Sequence, residues 1–290
     1  KNKLNDNIFI ALISVFFLAG YWYFFFFSYQ EEDITLKIIN ITKDNLYLPL
    51  IFNISNLDFF QTFNPKIISD NVYSFPILGL IIYSFFYKIF GASSILIIQL
   101  ASIYLFLKIF FEIFLQFNFS KKIAFLCSLT LFLTPFLIKD LTIFEYGFIE
   151  LINNNIYSLY DLRYPRPLTS NLFLFASIYF IIIIYKNSNF SYLNFFYLSL
   201  IIGLTLHTFF YFFIFQLTLL SIIHLLFFKK KILFAIYEHR KSFFIFFLNI
   251  LLFIFIFILQ QFYSEPDYSI RIGIIDNHLM DRKILLINYL

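Results

Sequence analysis

The sequence predicts an all-α integral membrane protein with about seven transmembrane helices plus a surface or re-entrant helix in the first outer loop. Three observations carry that prediction. Apolar residues make up 61% of the 290-residue chain and the mean hydropathy is +0.84, well above the roughly 45–50% apolar usage of soluble domains. Charged residues amount to only 13% and are clustered. Between the clusters stand apolar runs that reach the ~20 helical residues needed to cross a ~30 Å bilayer core.

The expected spans are 8–27, 93–111, 123–138, 167–185, 190–207, 208–228 and 242–264, with outer loops 28–92, 139–166 and 265–290, all in one membrane domain over 1–290. The first run is read as a retained span. Its twenty uncharged residues exceed the usual h-region of a signal peptide, and no small-residue cleavage site follows. Within the first loop, Pro76–Tyr87 is uncharged but only twelve residues long, the length class of re-entrant or interfacial segments. Pro76 suits a first helical turn, Ser74 could cap it, and Lys88 and Gly91 follow as stop signals. The stretch 190–228 holds 39 residues without a formal charge. At 1.5 Å per residue this is nearly 60 Å, or two crossings, divided by a hairpin near Thr205, His207 and Thr208.

Orientation follows from the basic residues. If Pro76–Tyr87 stays at the outer surface, the short inner segments after it carry eight basic residues (Lys121, Lys122, Lys186, Lys229, Lys230, Lys231, Arg240, Lys241), against three in the short outer segment 139–166 (Lys139, Arg163, Arg166). The positive-inside rule prefers this arrangement, with a cytoplasmic N-terminus and a bacterial inner membrane as the expected location. Fourteen of the seventeen carboxylates then lie outside, the exceptions being Asp6, Glu112 and Glu238. Lys1 in place of Met, and an end at Leu290 within a mixed polar and apolar stretch, lead us to expect a piece of a longer protein.

Several functional classes are disfavoured. The net charge of +4 sits at the ends of apolar runs, where it sets topology, so no nucleic-acid partner is expected. Six glycines make a phosphate-cradling loop hard to build, and no nucleotide is expected. Cys127 is the single cysteine, which rules out a disulfide within the chain. No helix has metal-ligand spacing.

Three groups could carry chemistry. Glu31, Glu32 and Asp33 follow the first span directly. Adjacent carboxylates repel, which raises at least one pKa. Such a group could act as a general base or hold a divalent cation, or it could simply be a solvated acidic patch. Asp161-Leu162-Arg163-Tyr164-Pro165-Arg166-Pro167 closes the second outer loop. Its two guanidinium forks could clamp a phosphate or pyrophosphate, or could bind lipid headgroups and pair with Asp161. His207 at the expected hairpin is a third candidate, as phosphate ligand or as interfacial residue. His224, near the inner end of its span, reads as a snorkelling or hydrogen-bonded residue.

This layout resembles the GT-C superfamily of polyprenyl-phosphate-sugar-dependent glycosyltransferases. In that family a first span leads into a long outer loop with acidic residues near its start, and short surface helices precede the next span. Here Glu31-Glu32-Asp33-Ile34-Thr35-Leu36-Lys37 occupies the acidic position. Phe75-Pro76-Ile77-Leu78-Gly79 through Lys88-Ile89-Phe90-Gly91 is similar to the family's Pro-initiated surface helix. The resemblance implies transfer of a sugar from a lipid-linked donor to an acceptor at the outer face, with Asp33 or Glu32 as base. Arg163 and Arg166 match no fixed family motif, and their phosphate-binding role rests on residue chemistry. The partners expected are the lipid-linked sugar donor and membrane lipids. Two other classes compete: a transporter or flippase, which predicts polar groups at span midplanes, and a non-catalytic assembly subunit.

Overall fold

Where water is absent, a backbone N–H or C=O must find its partner within its own segment, so long apolar runs become helices. A computed structural model of the chain describes residues 2–28, 47–59, 77–140, 166–228 and 237–262, and the described residues are helical with short turns and no strand. In chain order the helices are α1 (Asn2–Ser28), α2 (Tyr47–Ser55), α3 (Ile77–Phe90), α4 (Ser94–Gln116), α5 (Lys121–Asp140), α6 (Arg166–Lys186), α7 (Tyr192–Leu206), α8 (Phe210–Phe228) and α9 (Arg240–Phe262). Three helical stretches are long and apolar enough to cross a membrane: Ile77–Gln116, Phe210–Phe228 and Arg240–Phe262. Shorter apolar helical stretches run over Asn5–Gly20, Asn171–Lys186 and Tyr192–Leu206.

The stretch Ile77–Gln116 is not one straight rod. Gly91 adopts φ +57, a conformation that costs glycine little, and a 3-10 turn over Gly91–Ser93 joins α3 to α4. A straight continuation would carry Leu78 about 24 Å past the start of α4. Instead the Leu78 N–H donates to the His207 carbonyl at 3.3 Å. Helix α3 is therefore folded back beside the bundle, packing mainly on α2 and α4. Helix α2 lies in the first expected outer loop and was not anticipated from the sequence.

Side-chain contacts define two ends of the bundle. At one, Lys121 pairs with Asp6, Asn187 Nδ2 donates to Gln116 Oε1 at 2.9 Å, and Ser242 Oγ donates to the Phe190 carbonyl at 2.8 Å. At the other, Trp22 Nε1 donates to Gln99 Oε1 at 2.6 Å, and Leu78, His207 and Gln260 meet. Helices α1, α5, α7 and α9 run from the first end to the second, while α4, α6 and α8 return. The first end is the basic one, carrying Lys3, Lys121, Lys122, Lys186, Arg240 and Lys241.

Two apolar cores hold the bundle. Ile10, Tyr83, Phe106, Phe110 and Phe132 centre the first, between α1 and α5. Ile184, Phe195, Ile202, Phe213 and Phe246 centre the second, between α6 and α9. Phe175 of α6 joins the first core, its ring 4.8 Å from that of Phe110. The outward surface is also apolar: Phe16 is 74% exposed, Phe244 67% and Phe262 79%. In water such a face would drive aggregation; among lipid chains it is the solvated surface.

Several buried polar groups in the helices find partners within the bundle. Ser14, Ser84 and Ser128 return their hydroxyls to the carbonyl four residues back. Asn249 Nδ2 donates to Ser199 Oγ at 3.0 Å, tying α9 to α7, and Gln216 Nε2 reaches the Phe173 carbonyl at 3.4 Å, tying α8 to α6.

Candidate functional site

The candidate site is the end of the bundle where α7 turns into α8. Helix α7 closes with three backbone bonds: His207 N–H to the Leu204 carbonyl, and Thr208 and Phe209 N–H both to the Thr205 carbonyl. The two threonine hydroxyls reinforce the turn, Thr205 Oγ1 donating to Ile201 O and Thr208 Oγ1 to Thr205 O. These bonds use up the carbonyls that would otherwise face apolar surroundings. They also fix His207 in the turn, outside both helices.

The imidazole of His207 is buried, at 6% exposure. Its Nδ1 lies 2.9 Å from Oε1 of Gln260 in the last turn of α9, and Phe253 and Phe257 wall the ring at centroid distances of 5.9 and 6.1 Å. With an amide oxygen as acceptor, Nδ1 carries the proton. The neutral ring then presents a lone pair on Nε2, which is buried and has no partner among the described residues. Burial lowers the His207 pKa below the usual imidazole value, outweighing the opposing bonds to Gln260 and to the backbone at Phe253. A buried neutral histidine with one free acceptor nitrogen can accept a hydrogen bond or a proton from a group brought to that turn. As the phosphate ligand expected above, it would first have to take up a proton at Nε2.

Of the other residues singled out in the sequence, Glu31, Glu32, Asp33 and Arg163 lie outside the described residues. Arg166 is the first residue of α6, which begins at the same end as His207. Ser28 ends α1 at that end too, three residues before Glu31. Among the described residues no group of three or more His, Cys, Asp or Glu could hold a metal ion. The acidic trio, where a cation was expected to bind if anywhere, lies outside them.

Two features escaped the sequence reading. Gln260 gives His207 its orientation; no local spacing links positions 53 residues apart. Lys108 and Glu112 form an ion pair at 2.7 Å within α4, across the expected inner end of the second span, and Tyr179 of α6 lies within electrostatic reach of Glu112. That pair did carry a signal, the i,i+4 spacing of opposite charges on a helix. His224 of α8 pairs with the Tyr185 hydroxyl at 3.0 Å, the hydrogen-bonded role expected for it.

No protein-family model, curated protein or solved structure matches this chain.

Proposed function

We propose that the chain is a membrane-embedded glycosyltransferase of the GT-C kind, moving a sugar from a polyprenyl-phosphate donor to an acceptor at the outer face of a bacterial inner membrane. In this reading α1 and α4 to α9 are seven crossings, α2 and α3 are surface helices, and the basic end is cytoplasmic. The observation that carries the proposal is the sharing of one bundle end. Ser28, which leads into Glu31-Glu32-Asp33, and Arg166, which closes the Arg163–Arg166 motif, belong to helices whose termini lie at the end occupied by His207 and the start of α3. A lipid-borne substrate presented there could meet both motifs.

Asp33 or Glu32 would take the proton of the acceptor hydroxyl as it attacks the anomeric carbon of the donor. The bond from that carbon to the phosphate oxygen breaks, and the polyprenyl phosphate leaves with the electron pair. Arg163 and Arg166 would stabilise the charge building on the leaving phosphate. His207, neutral and oriented by Gln260, would accept a hydrogen bond from an acceptor or sugar hydroxyl through Nε2. A divalent cation at the acidic trio would be a further ligand for the phosphate.

The test is transfer of radiolabelled sugar from polyprenyl phosphate in membranes carrying Glu32→Gln and Asp33→Asn, with cysteine labelling of positions 31–33 and 163–166 from each side. The proposal expects loss of transfer by at least ~10²-fold in the double variant, the scale of general-base catalysis, with insertion unchanged. Undiminished transfer, or labelling of the two motifs from opposite sides, overturns it. Movement of an intact lipid-linked sugar across the membrane without transfer would point instead to a flippase.

A further inference from the structure

At the basic end, remote from His207, α1, α4 and α5 leave a cleft of about 510 Å³. Its wall is apolar, built from Phe9 and Ile10 of α1, Phe111 of α4, and Phe125 and Leu126 of α5. The Phe9 and Phe125 ring centroids lie 4.9 Å apart, with the ring planes tilted by 53°. Leu126 is 61% exposed and Phe9 52%, so the cleft runs on into the apolar outer surface of the bundle. Its rim is polar: Asn5, Asp6, Lys121 and Lys122.

The charges on this rim do not cancel. Asp6 is paired with Lys121. Lys122 makes no ion pair with the described residues, which leaves the rim one positive charge in excess. Lys121 and Lys122 also open α5, so the positive end of the helix dipole points at the same place. A basic rim over an apolar wall, at an end already rich in Lys and Arg, matches a membrane lipid with an anionic head.

We infer that this cleft binds an anionic glycerophospholipid, with its phosphodiester at Lys122 and the first turn of α5 and its acyl chains along Phe9, Phe125 and Leu126. The single excess charge suits a phosphodiester, which carries one negative charge, better than a phosphomonoester dianion. The apolar wall gives a free phosphate nothing to bury. The site depends on the chain lying in a membrane and not on sugar transfer, so the two proposals stand or fall separately.

The experiment uses the full chain in nanodiscs of mixed phosphatidylglycerol and phosphatidylcholine, followed by native mass spectrometry of the lipid retained on release. Phosphatidylglycerol should be retained in preference to phosphatidylcholine. Lys122→Gln should lower that preference about fivefold, the effect of one cation at a membrane surface, with phosphatidylcholine retention unchanged. Leu126→Ser should weaken retention of both lipids. Lys241→Gln, at the same end but outside the cleft, should have no effect, and inorganic phosphate should not displace the lipid. An unaltered preference in Lys122→Gln overturns the inference. So does an equal loss in Lys241→Gln, which would mean diffuse attraction, or displacement by phosphate, which would mean a head-only site.

Discussion

Nδ1 of His207 and Oε1 of Gln260 lie 2.9 Å apart, and this one bond joins the α7–α8 turn to the last turn of α9. Replacing Gln260 with Ala leaves a buried N–H without its acceptor, at a cost of about 1–3 kcal/mol. Chemical unfolding in detergent should show Gln260→Ala destabilised by that amount, with Gln260→Glu less affected because it keeps an acceptor. Equal stability of Gln260→Ala and the parent would mean that the bond contributes nothing.

The same histidine makes stability depend on pH. Burial lowers its pKa in the folded chain, so the unfolded chain binds a proton first. The contribution of the neutral ring is complete above the unfolded value of about 6.5 and is lost as pH falls toward the lower folded value. Thermal unfolding from pH 8 to pH 5 should show a fall in Tm below about 6.5, and His207→Gln should flatten that fall. A parallel fall in the variant would assign the acid sensitivity to other groups.

Gly203 of α7 faces Phe253 of α9 so closely that a Cβ placed there would stand 2.0 Å from the ring Cδ2 and 2.4 Å from Cγ. The clash reaches the root of the ring, so rotation of the ring tip does not relieve it. On helix propensity alone Ala should gain about 1 kcal/mol over Gly. Overpacking should reverse that sign and destabilise Gly203→Ala by about 1–3 kcal/mol. Adding Phe253→Leu should recover part of the loss. A stabilised Gly203→Ala would show that α7 and α9 pack less tightly at this level.

These packing relations mark where the sequence was legible. Apolar run length specified the long helices because in a medium without water the helix is the answer that satisfies every backbone group. Gly91 was readable as a stop because its positive φ suits glycine, and the uncharged stretch around His207 was too long for one crossing. Helix α2 was missed because nine residues, Tyr47–Ser55, carry too short a pattern to separate from loop. Lys108 was overlooked because a single charge does little to the average hydropathy of a 23-residue helix. The candidate site was least legible. The chemistry proposed there draws on Asp33 and Arg163, which fall outside every apolar run of the sequence, and on Gln260, whose partner is remote in sequence.

Trp22, the single tryptophan, is 4% exposed and donates to Gln99 Oε1. Its emission therefore reports on the α1–α4 contact. Iodide in the aqueous phase should quench it poorly in the folded chain. Gln99→Leu removes this acceptor and should shift the emission to the blue while lowering stability by about 1 kcal/mol. Efficient iodide quenching in the parent would place Trp22 outside the bundle interior.

The pair Lys108–Glu112 allows the interior of α4 to be tested for function as well as stability. Ionisable residues inside an apolar helix are costly, and they persist where they pair or where they act. Each side chain keeps about a quarter of its surface exposed (24% and 27%), and Tyr179 of α6 lies within electrostatic reach of Glu112. If its role is structural, either single change, Lys108→Met or Glu112→Gln, should destabilise the chain more than the double change does. Removing one partner strands the other, whereas removing both removes the desolvation cost as well. The sugar transfer proposed above should then be equal in the double variant and the parent. A double variant that is as stable as the parent yet inactive would move the pair from packing to function, and would favour a substrate or proton path through α4 over chemistry confined to the His207 end.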